Sequence, residues 1–498
     1  MPLGTFFFKP RARRRGWGLT AHPHIIPLVT NSARPVITVV GGGFAGTALV
    51  LQLRRQVALA QTEIHLIEPH EVPGPGLAYT ARRPEYLLNV RSGALSLYPD
   101  APNHFAEWLA GQPESADGIP DFAPRATYGR YLHEELQTVL APANAPNGVQ
   151  WHATKAVAAP LLPDGRRAVQ LADGAEIISD YVVLALGNFP PPPPVGPDLR
   201  YLQHPGCHAD PWVTGNLRRI GPDEEVLLIG SGLTAVDVLL ALRQDGHRAP
   251  ITVVARHGYW PAAHGPVVAP YPSFYPELAS ETTVVGVVAK FKKHLRAAAA
   301  QGIDWRPVLD SLRPDLGRIW SAWPLTEQRR FLQHLAGLWA VTRHRSPPQN
   351  TEAVAALTAA GLVRLNVGTV REIVPEGNRL RVRVRPRGTT SSWHTAHHVV
   401  CCAGPLLDYS RITDPLVAGL REANHLTPDP LRLGVLTDVQ GALLGPDGTV
   451  VPALFTLGPS RRPTYFESTA IPELRQQAAN LAAELTRRIE MQHFASPH

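Results

Sequence analysis

Two glycine-rich turns carry the residue types and spacing most suited to chemistry in this chain. The first, Gly41-x-Gly43-x-x-Gly46, follows the β-branched run "PVITVV" (Pro35–Val40) and opens an apolar helical pattern through Ala48, Leu49, Leu51 and Leu53. A second run, "EIHLIE", ends on Glu68. Strand, turn, helix, strand and acid in this order make a dinucleotide fingerprint. The glycines allow a tight turn, close backbone approach to a pyrophosphate and close helix–strand contact. The helix start offers free N–H groups and a positive dipole end. Glu68 is then the acceptor for ribose hydroxyls.

The same order recurs downstream. "EEVLLIG" leads into Gly230-x-Gly232-x-x-Ala235, a helix over Leu233–Gln244 that stops near Gly246, and the strand "ITVVAR" ending on Arg256. An acid at that strand end repels a 2′-phosphate, whereas an arginine pairs with it through a forked, charge-assisted contact. The expectation is FAD on Gly41, Gly43, Phe44, Ala45, Gly46 and Glu68. NADPH (or NADH) goes to Gly230, Gly232, Leu233, Thr234, Ala235 and Arg256. The alternative for Arg256 is a solvated arginine at a strand end.

Each turn needs a frame, and each half supplies one. From "VQWH" to Gly187 the chain reads as an antiparallel meander with turns at Asp164-Gly165 and Asp173-Gly174, closing on an apolar strand. "VRLNVGTVREIVPEGNRLRVRVRP" and "HHVVCCAGP", to Gly404, repeat that plan. The expected fold class is α/β: two Rossmann-like dinucleotide-binding domains (FAD and NAD(P)H), each with a β-meander, plus a helical insertion. The FAD-binding domain is expected over 35–195 and 405–490, discontinuous in the chain. The NAD(P)H-binding domain is expected over 222–404, with its helical insertion at about 275–350. Residues 70–150 interrupt the first unit, and Pro190–Pro194 reads as a stiff linker. In the insertion, Lys290, Lys292 and Lys293 read as a solvated helix face.

Charge and cysteine content exclude several function classes. The formal charge is +7, but residues 1–34 hold Lys9, Arg11, Arg13, Arg14, Arg15 and Arg34 and no acid. The rest is nearly neutral, so a nucleic-acid groove is not expected. Residues 1–34 read as a disordered basic tail; their histidines and prolines suit no signal peptide. No apolar run approaches the roughly 18 residues of a membrane span, and a cytoplasmic location is expected. The cysteines, Cys207, Cys401 and Cys402, form no C-x-x-C, against a redox disulfide or a cysteine zinc site. His394, His397 and His398 lead into an apolar strand, and no metal is expected.

Longer stretches carry a resemblance: "GPGLAY" (Gly74–Tyr79), "PEYLLNVRSGALS" (Pro84–Ser96), "PRATYGRYL" (Pro124–Leu132), "RFLQHLAGLWAVTRHRSPP" (Arg330–Pro348) and "ESTAIPELRQQA" (Glu467–Ala478). In this order, over residues 36 to about 485, the chain resembles the two-dinucleotide-fold flavoproteins. That family includes FAD-dependent urate hydroxylase and the nitrosuccinate-forming aspartate N-monooxygenase. The resemblance implies a monooxygenase hydroxylating a small polar substrate with O₂. NADPH reduces FAD, and a C4a-peroxyflavin delivers one oxygen atom. It adds Tyr79, Gly187, Gly458, Thr469, Ala470 and Ile471 to the expected FAD contacts, the last three at a helix start near the flavin's pyrimidine edge.

Two alternatives stay open: an NAD(P)H:acceptor oxidoreductase or oxidase without oxygen insertion, and a non-catalytic redox sensor. Catalytic candidates are His208, Asn89, Arg343 and His344. His208 and Trp212 match half of an F-x-G-x-x-x-H-x-x-x-W pattern, with Leu202 and His204 in place of its other members. Arg82, Asn89 and Arg91 read as flavin contacts or as surface. Ala340 and Thr342 replace polar groups of the family's arginine–histidine segment, and oligomeric state is left open.

Overall fold

A computed structural model describes residues 34–56, 61–80, 83–140 and 148–495. The expected basic tail and Arg82 therefore lie outside the described residues, Arg34 excepted. The run that opens the first unit forms β1 (Val36–Val40), buried at every position. Continuous burial is what a central parallel strand demands, and it accounts for the absence of alternation in the sequence. The glycine turn leads into α1 (Phe44–Arg55) and β2 (Glu63–Ile67). The following segment supplies α2 (Gly76–Tyr79), α3 (His104–Ala110) and α4 (Arg125–Gln137). Next come β3 (Val149–His152), a small sheet of β4 (Ala156–Ala158), β5 (Arg167–Leu171) and β6 (Glu176–Ser179), and β7 (Tyr181–Leu184).

The second unit repeats this plan. It holds β8 (Cys207–His208), β9 (Val226–Ile229), α5 (Leu233–Gln244) and β10 (Ile251–Ala255). The insertion adds α6 (Tyr275–Leu278), α7 (Val284–Ala300), α8 (Trp305–Asp310), α9 (Leu316–Ala322), α10 (Leu325–His334) and α11 (Ala336–Arg343). Then follow α12 (Pro348–Ala359), β11 (Val363–Val367), the antiparallel β12 (Thr369–Glu376), β13 (Arg379–Arg385) and β14 (Ser392–Ala396), and β15 (His398–Cys401). The chain returns to the first unit with α13 (Pro415–Glu422), β16 (Ala442–Leu444), β17 (Val450–Thr456), α14 (Arg462–Tyr465) and α15 (Ile471–Ala495).

The larger sheet has the order β16-β17-β7-β1-β2-β3, and the second has β11-β10-β9-β15-β8. All pairs are parallel except β16 with β17. The α/β class with two Rossmann-like units is what the repeated glycine turns predict. One detail differs. "VQWH" and "VRLNV" were expected in the meanders, but β3 pairs parallel with β2 and β11 parallel with β10. Each follows a helix, α4 or α12, and a strand returning over a crossover helix joins the sheet in parallel. The meanders proper have three strands each, and Gly165 and Gly174 take the positive φ their turns need.

The two faces of the larger sheet bury separate cores. One packs α1 and α15 together through Ala48, Leu49, Ala478, Leu481 and Leu485; each buried leucine there contributes about 1.5–3 kcal/mol. The insertion, expected as part of the second unit, shares its core with the returning chain. Phe274, Trp320, Trp323 and Phe331 cluster with Leu433 and Phe466. Phe466 stacks on Trp320 with ring centroids 4.7 Å apart.

Candidate active site

The first turn is closed to any side chain. Gly41 has φ +107°, and a Cβ there would lie 2.3 Å from the Ala185 carbonyl oxygen; one on Gly46 would lie 1.9 Å from that of Gly41. Gly43 begins α1 without a side-chain cap, so the first N–H groups of Phe44, Ala45 and Gly46 face an anion site. Buried Glu68 fixes this turn: its Oε2 accepts from the Gly42 N–H at 2.7 Å, and Oε1 accepts from the His70 N–H at 3.1 Å and pairs with the His70 ring. One lone pair of Oε2 is left over for a hydroxyl.

A second approach to the α1 start comes from the end of β17. Gly458, at φ +94°, turns there, and a Cβ on it would lie 3.8 Å from that of Ala45. The loop is braced against α15. Ser468 Oγ donates to the Gly458 carbonyl at 2.5 Å, and Gln477 holds both Ser468 and the Gly458 N–H. Thr469 and Ala470 run from this brace into Ile471, the first residue of α15. Gly187, just past β7, has φ +66° and open space around its Cα.

The second turn repeats the geometry. Gly230 has φ +110°, and a Cβ there would lie 2.8 Å from the Cys402 carbonyl oxygen, as Gly41 meets Ala185. Gly232 starts α5 without a side-chain cap, and Ala235 is fully buried. Arg256 follows β10 directly and is exposed. Among the described residues no carboxylate pairs with it.

Both units open onto one cavity of about 510 Å³. Leu233 and Thr234 reach it from the second turn, and Thr469, Ala470 and Ile471 from the α15 start. Tyr79 and Asn89 line it from the first unit, and Arg343 and His344 from the insertion. Burial pushes the Tyr79 phenol up to about 12, so it stays protonated. The structure therefore unites Asn89, Arg343, His344, Tyr79 and residues of both expected nucleotide sites.

The cations around this cavity are not equivalent. Arg345 grips Asp310 with two bonds of 2.8 and 2.9 Å, and Arg313 grips Glu473 at 2.5 and 2.7 Å. Arg91 is engaged by Asp121 and the Gly265 carbonyl. Arg343 has only long approaches, 3.7 Å to Glu467 and 3.6 Å to Glu473. Its side chain is 12% exposed, and its Nε and Nη2 have no hydrogen-bond partner. Burial lowers its pKa without making a guanidinium neutral at pH 7, so a buried cation borders the cavity, with its two unused donors turned toward Glu467 and Glu473. Burial also lowers His344, against the pull of Glu467; its imidazole is neutral near pH 7.

His208 requires a correction. It lies on β8, fully buried, with Nδ1 3.0 Å from Asn216 Oδ1 and Nε2 3.0 Å from His398 Nδ1. Both ring nitrogens are taken and neither reaches the cavity, so it does not position a hydride. The physical reason lies in the sheet: β8 pairs with β15, bringing His208 against His398. Trp212, the other half of that pattern, instead lies beneath the Arg125 guanidinium at 5.5 Å.

Arg125 and Asp237 were not singled out from the sequence. Arg125, at the start of α4, lines the cavity and bonds buried Asp237 of α5 at 2.8 Å. Burial raises Asp237 to about 6 despite the arginine. The available signal was a lone acid inside the apolar run "LTAVDVLLAL". Glu467 and Glu473 were likewise missed, although both sit in the quoted "ESTAIPELRQQA".

Residues 38–189 match the FAD-NAD(P)-binding family. The chain is 28% identical over 276 residues to an L-aspartate N-monooxygenase (nitrosuccinate-forming) of Streptomyces davaonensis, covering 46% of this chain and 42% of that protein. It is 29% identical over 236 residues to a nitrosuccinic acid synthase of Aspergillus oryzae, covering 41% of this chain and 35% of that one. The chain thus spans about two-fifths of the length of the curated relatives it matches. In fold it is similar to the reduced form of ornithine hydroxylase from Pseudomonas aeruginosa, with TM-score 0.63 and 15% identity over 92% of this chain and 99% of that one. L-lysine 6-monooxygenase from Pseudomonas syringae gives the same TM-score and coverage at 16% identity.

Proposed function

We propose, from the match of residues 38–189 to the FAD-NAD(P)-binding family, that this chain is an FAD-dependent, NAD(P)H-using monooxygenase. Its substrate in this reading is a small polar molecule with a carboxylate. The observation that carries it is one cavity reached by the second nucleotide turn through Leu233 and Thr234, by the first unit through Tyr79 and Asn89, and bordered by Arg343. The residues fit the cofactors: both turns hold glycines where a Cβ would clash, both helices start uncapped, and Arg256 is unpaired. We assign FAD to residues 35–195 and 405–490, and NADPH to 222–404 with Arg256 on its 2′-phosphate.

Bound FAD supplies the redox and oxygen-transfer chemistry, with NADPH as the source of hydride. The chain's own residues bind, orient and handle protons. The start of α15 offers N–H groups to negative charge at Thr469–Ile471. Arg343 supplies positive charge at the cavity wall for the substrate carboxylate, in a water-poor site. His344 accepts a proton at a ring nitrogen from a substrate amine, and the Tyr79 hydroxyl stays a donor. Two electrons from NADPH and one O₂ yield one oxygenated product and one water. One curated relative's name specifies L-aspartate, and an amino acid satisfies both Arg343 and His344. A cytoplasmic location, where NADPH is supplied, accompanies this reading.

The test is stoichiometry. The FAD-loaded chain should be bleached by NADPH faster than by NADH without oxygen. In air it should form product in step with NADPH use for one of a panel of amino acids, amines and purines. Hydrogen peroxide equal to the NADPH consumed, with every compound, would establish the oxidase alternative. Absence of flavin binding and of any NADPH response would defeat both.

A further inference from the structure

The insertion, together with Phe466, lines a second, solvent-open chamber of about 500 Å³. It shares no lining residue with the polar cavity. Its wall includes Phe291, Trp305, Trp320, Trp323, Trp339 and Phe466. Apolar surface on this scale left without a partner forfeits dispersion contacts, and the volume falls within the range that takes a small organic ligand. The polar groups on this wall show what that ligand carries. The indole N–H groups of Trp320 and Trp339 are used, by the Pro463 carbonyl and Glu467, each at 2.9 Å. Trp323 is 7% exposed, and its N–H is buried without a partner. That nitrogen is closed off from the chamber's free space, so it is not the group a ligand meets there.

The polar group open to a ligand is Lys292. Its neighbours on α7 are engaged, Lys290 by Glu281 at 2.6 Å and Lys293 by Glu277 at 3.5 Å. Lys292 lines the chamber from its exposed rim and is in no ion pair among the described residues. Lys292 and Lys293 are exposed, as expected of a solvated helix face, and Lys290 is half-buried. This open group is a cation on an otherwise apolar wall, so the complementary ligand is an anion with an apolar body.

We propose that this chamber is a binding site for an apolar carboxylate, a medium-chain alkyl or aryl acid. Its chain or ring lies among the tryptophans and its charge meets Lys292. The site is separate from the polar cavity, and its occupancy depends on neither flavin nor turnover.

The test uses the full chain as purified, with dodecanoate, dodecylamine and dodecanol as probes. Dodecanoate should bind at one site per chain by calorimetry, quench tryptophan emission, and bind at least ~10-fold more tightly than dodecylamine. Lys292→Gln should weaken dodecanoate by about 2–5-fold and leave dodecanol unchanged. Leu338→Glu, on a lining residue already 49% exposed, should weaken both by more than ~10-fold while flavin content stays the same. Equal binding of acid and amine, or dodecanoate binding indifferent to Leu338→Glu, would overturn the proposal. So would a dimer dissociated by Leu338→Glu, which would identify a second copy of the chain as the occupant. Failure of the monooxygenase reading would leave all these outcomes untouched.

Discussion

A single guanidinium distinguishes the two otherwise parallel nucleotide turns. Glu68 is buried and spends most of its acceptor capacity on its own turn, whereas Arg256 stands exposed and unpaired at the equivalent strand end. Because Arg256 supports no other side chain, Arg256→Ala should leave folding intact. It should raise the NADPH concentration for half-maximal flavin reduction by about 10–100-fold, the value of a charge-assisted phosphate contact of about 1.5–3 kcal/mol. NADH should change by less than about 2-fold. Rapid-mixing reduction with both nucleotides makes the comparison, and equal losses would remove the 2′-phosphate assignment. Arg256 was legible because its function is local: a strand end, a turn and a residue type suffice. Arg343 was legible only as a candidate, because its significance rests on Arg313 and Arg345 already being paired, which no local pattern reveals.

At the scale of elements, the edge strand β8 is two residues long and depends on a side-chain chain as much as on its ladder. Asn216, His208 and His398 are linked in sequence, and His398 reaches Glu224 at 2.7 Å. Burial is the main cause that lowers His208 to about 4, with His398 and Arg219 adding to it against Asn216. Its unfolded value is about 6.5, so above that pH both states are neutral and the contribution is complete. As pH falls from 6.5 through 4, the unfolded chain takes up a proton that the folded one refuses, and stability is lost. The loss from His208 reaches about 3 kcal/mol. His152, also lowered to about 4 by burial, acts in the same direction. Urea titrations of the native chain should therefore show stability falling between pH 6.5 and 4. In His208→Gln that fall should be shallower by up to about 3 kcal/mol, and an unchanged slope would remove the assignment. The strands, glycine turns and helices around this network were readable because hydrophobic runs and turn residues act over a few positions. The places of β3 and β11 were not, since a parallel partner is chosen by the crossover helix and not by the strand's own residues.

The whole molecule is two duplicated units whose junction neither copy encodes alone. The cavity draws on segments around residues 79–91, 233–234, 343–344 and 469–471, so its existence depends on docking, which periodicity does not report. The buried pair Arg125–Asp237 crosses that junction, joining α4 of the first unit to α5 of the second. Asp237 is held at about 6, above the usual 3.8, chiefly by burial, with Arg125 opposing and Glu85 reinforcing the rise. A raised carboxyl contributes stability in full below its unfolded value and loses it as pH climbs through the folded one. Arg125→Met removes the charge that makes ionised Asp237 tolerable and drives its pKa further up. At pH 7.5 the variant should be about 3–5 kcal/mol less stable than the native chain, the cost of stranding one partner of a buried pair. At pH 5 Asp237 is largely protonated in both proteins, and the deficit should shrink to about 1 kcal/mol, that of a lost neutral hydrogen bond. Adding Asp237→Asn should recover most of the stability at pH 7.5. If the junction only holds shape, flavin reduction by NADPH recovers with it. If the charged pair aligns the two turns, the double variant is stable but reduces flavin slowly. A deficit independent of pH would show that Arg125 acts through its packing on Trp212 and not through Asp237.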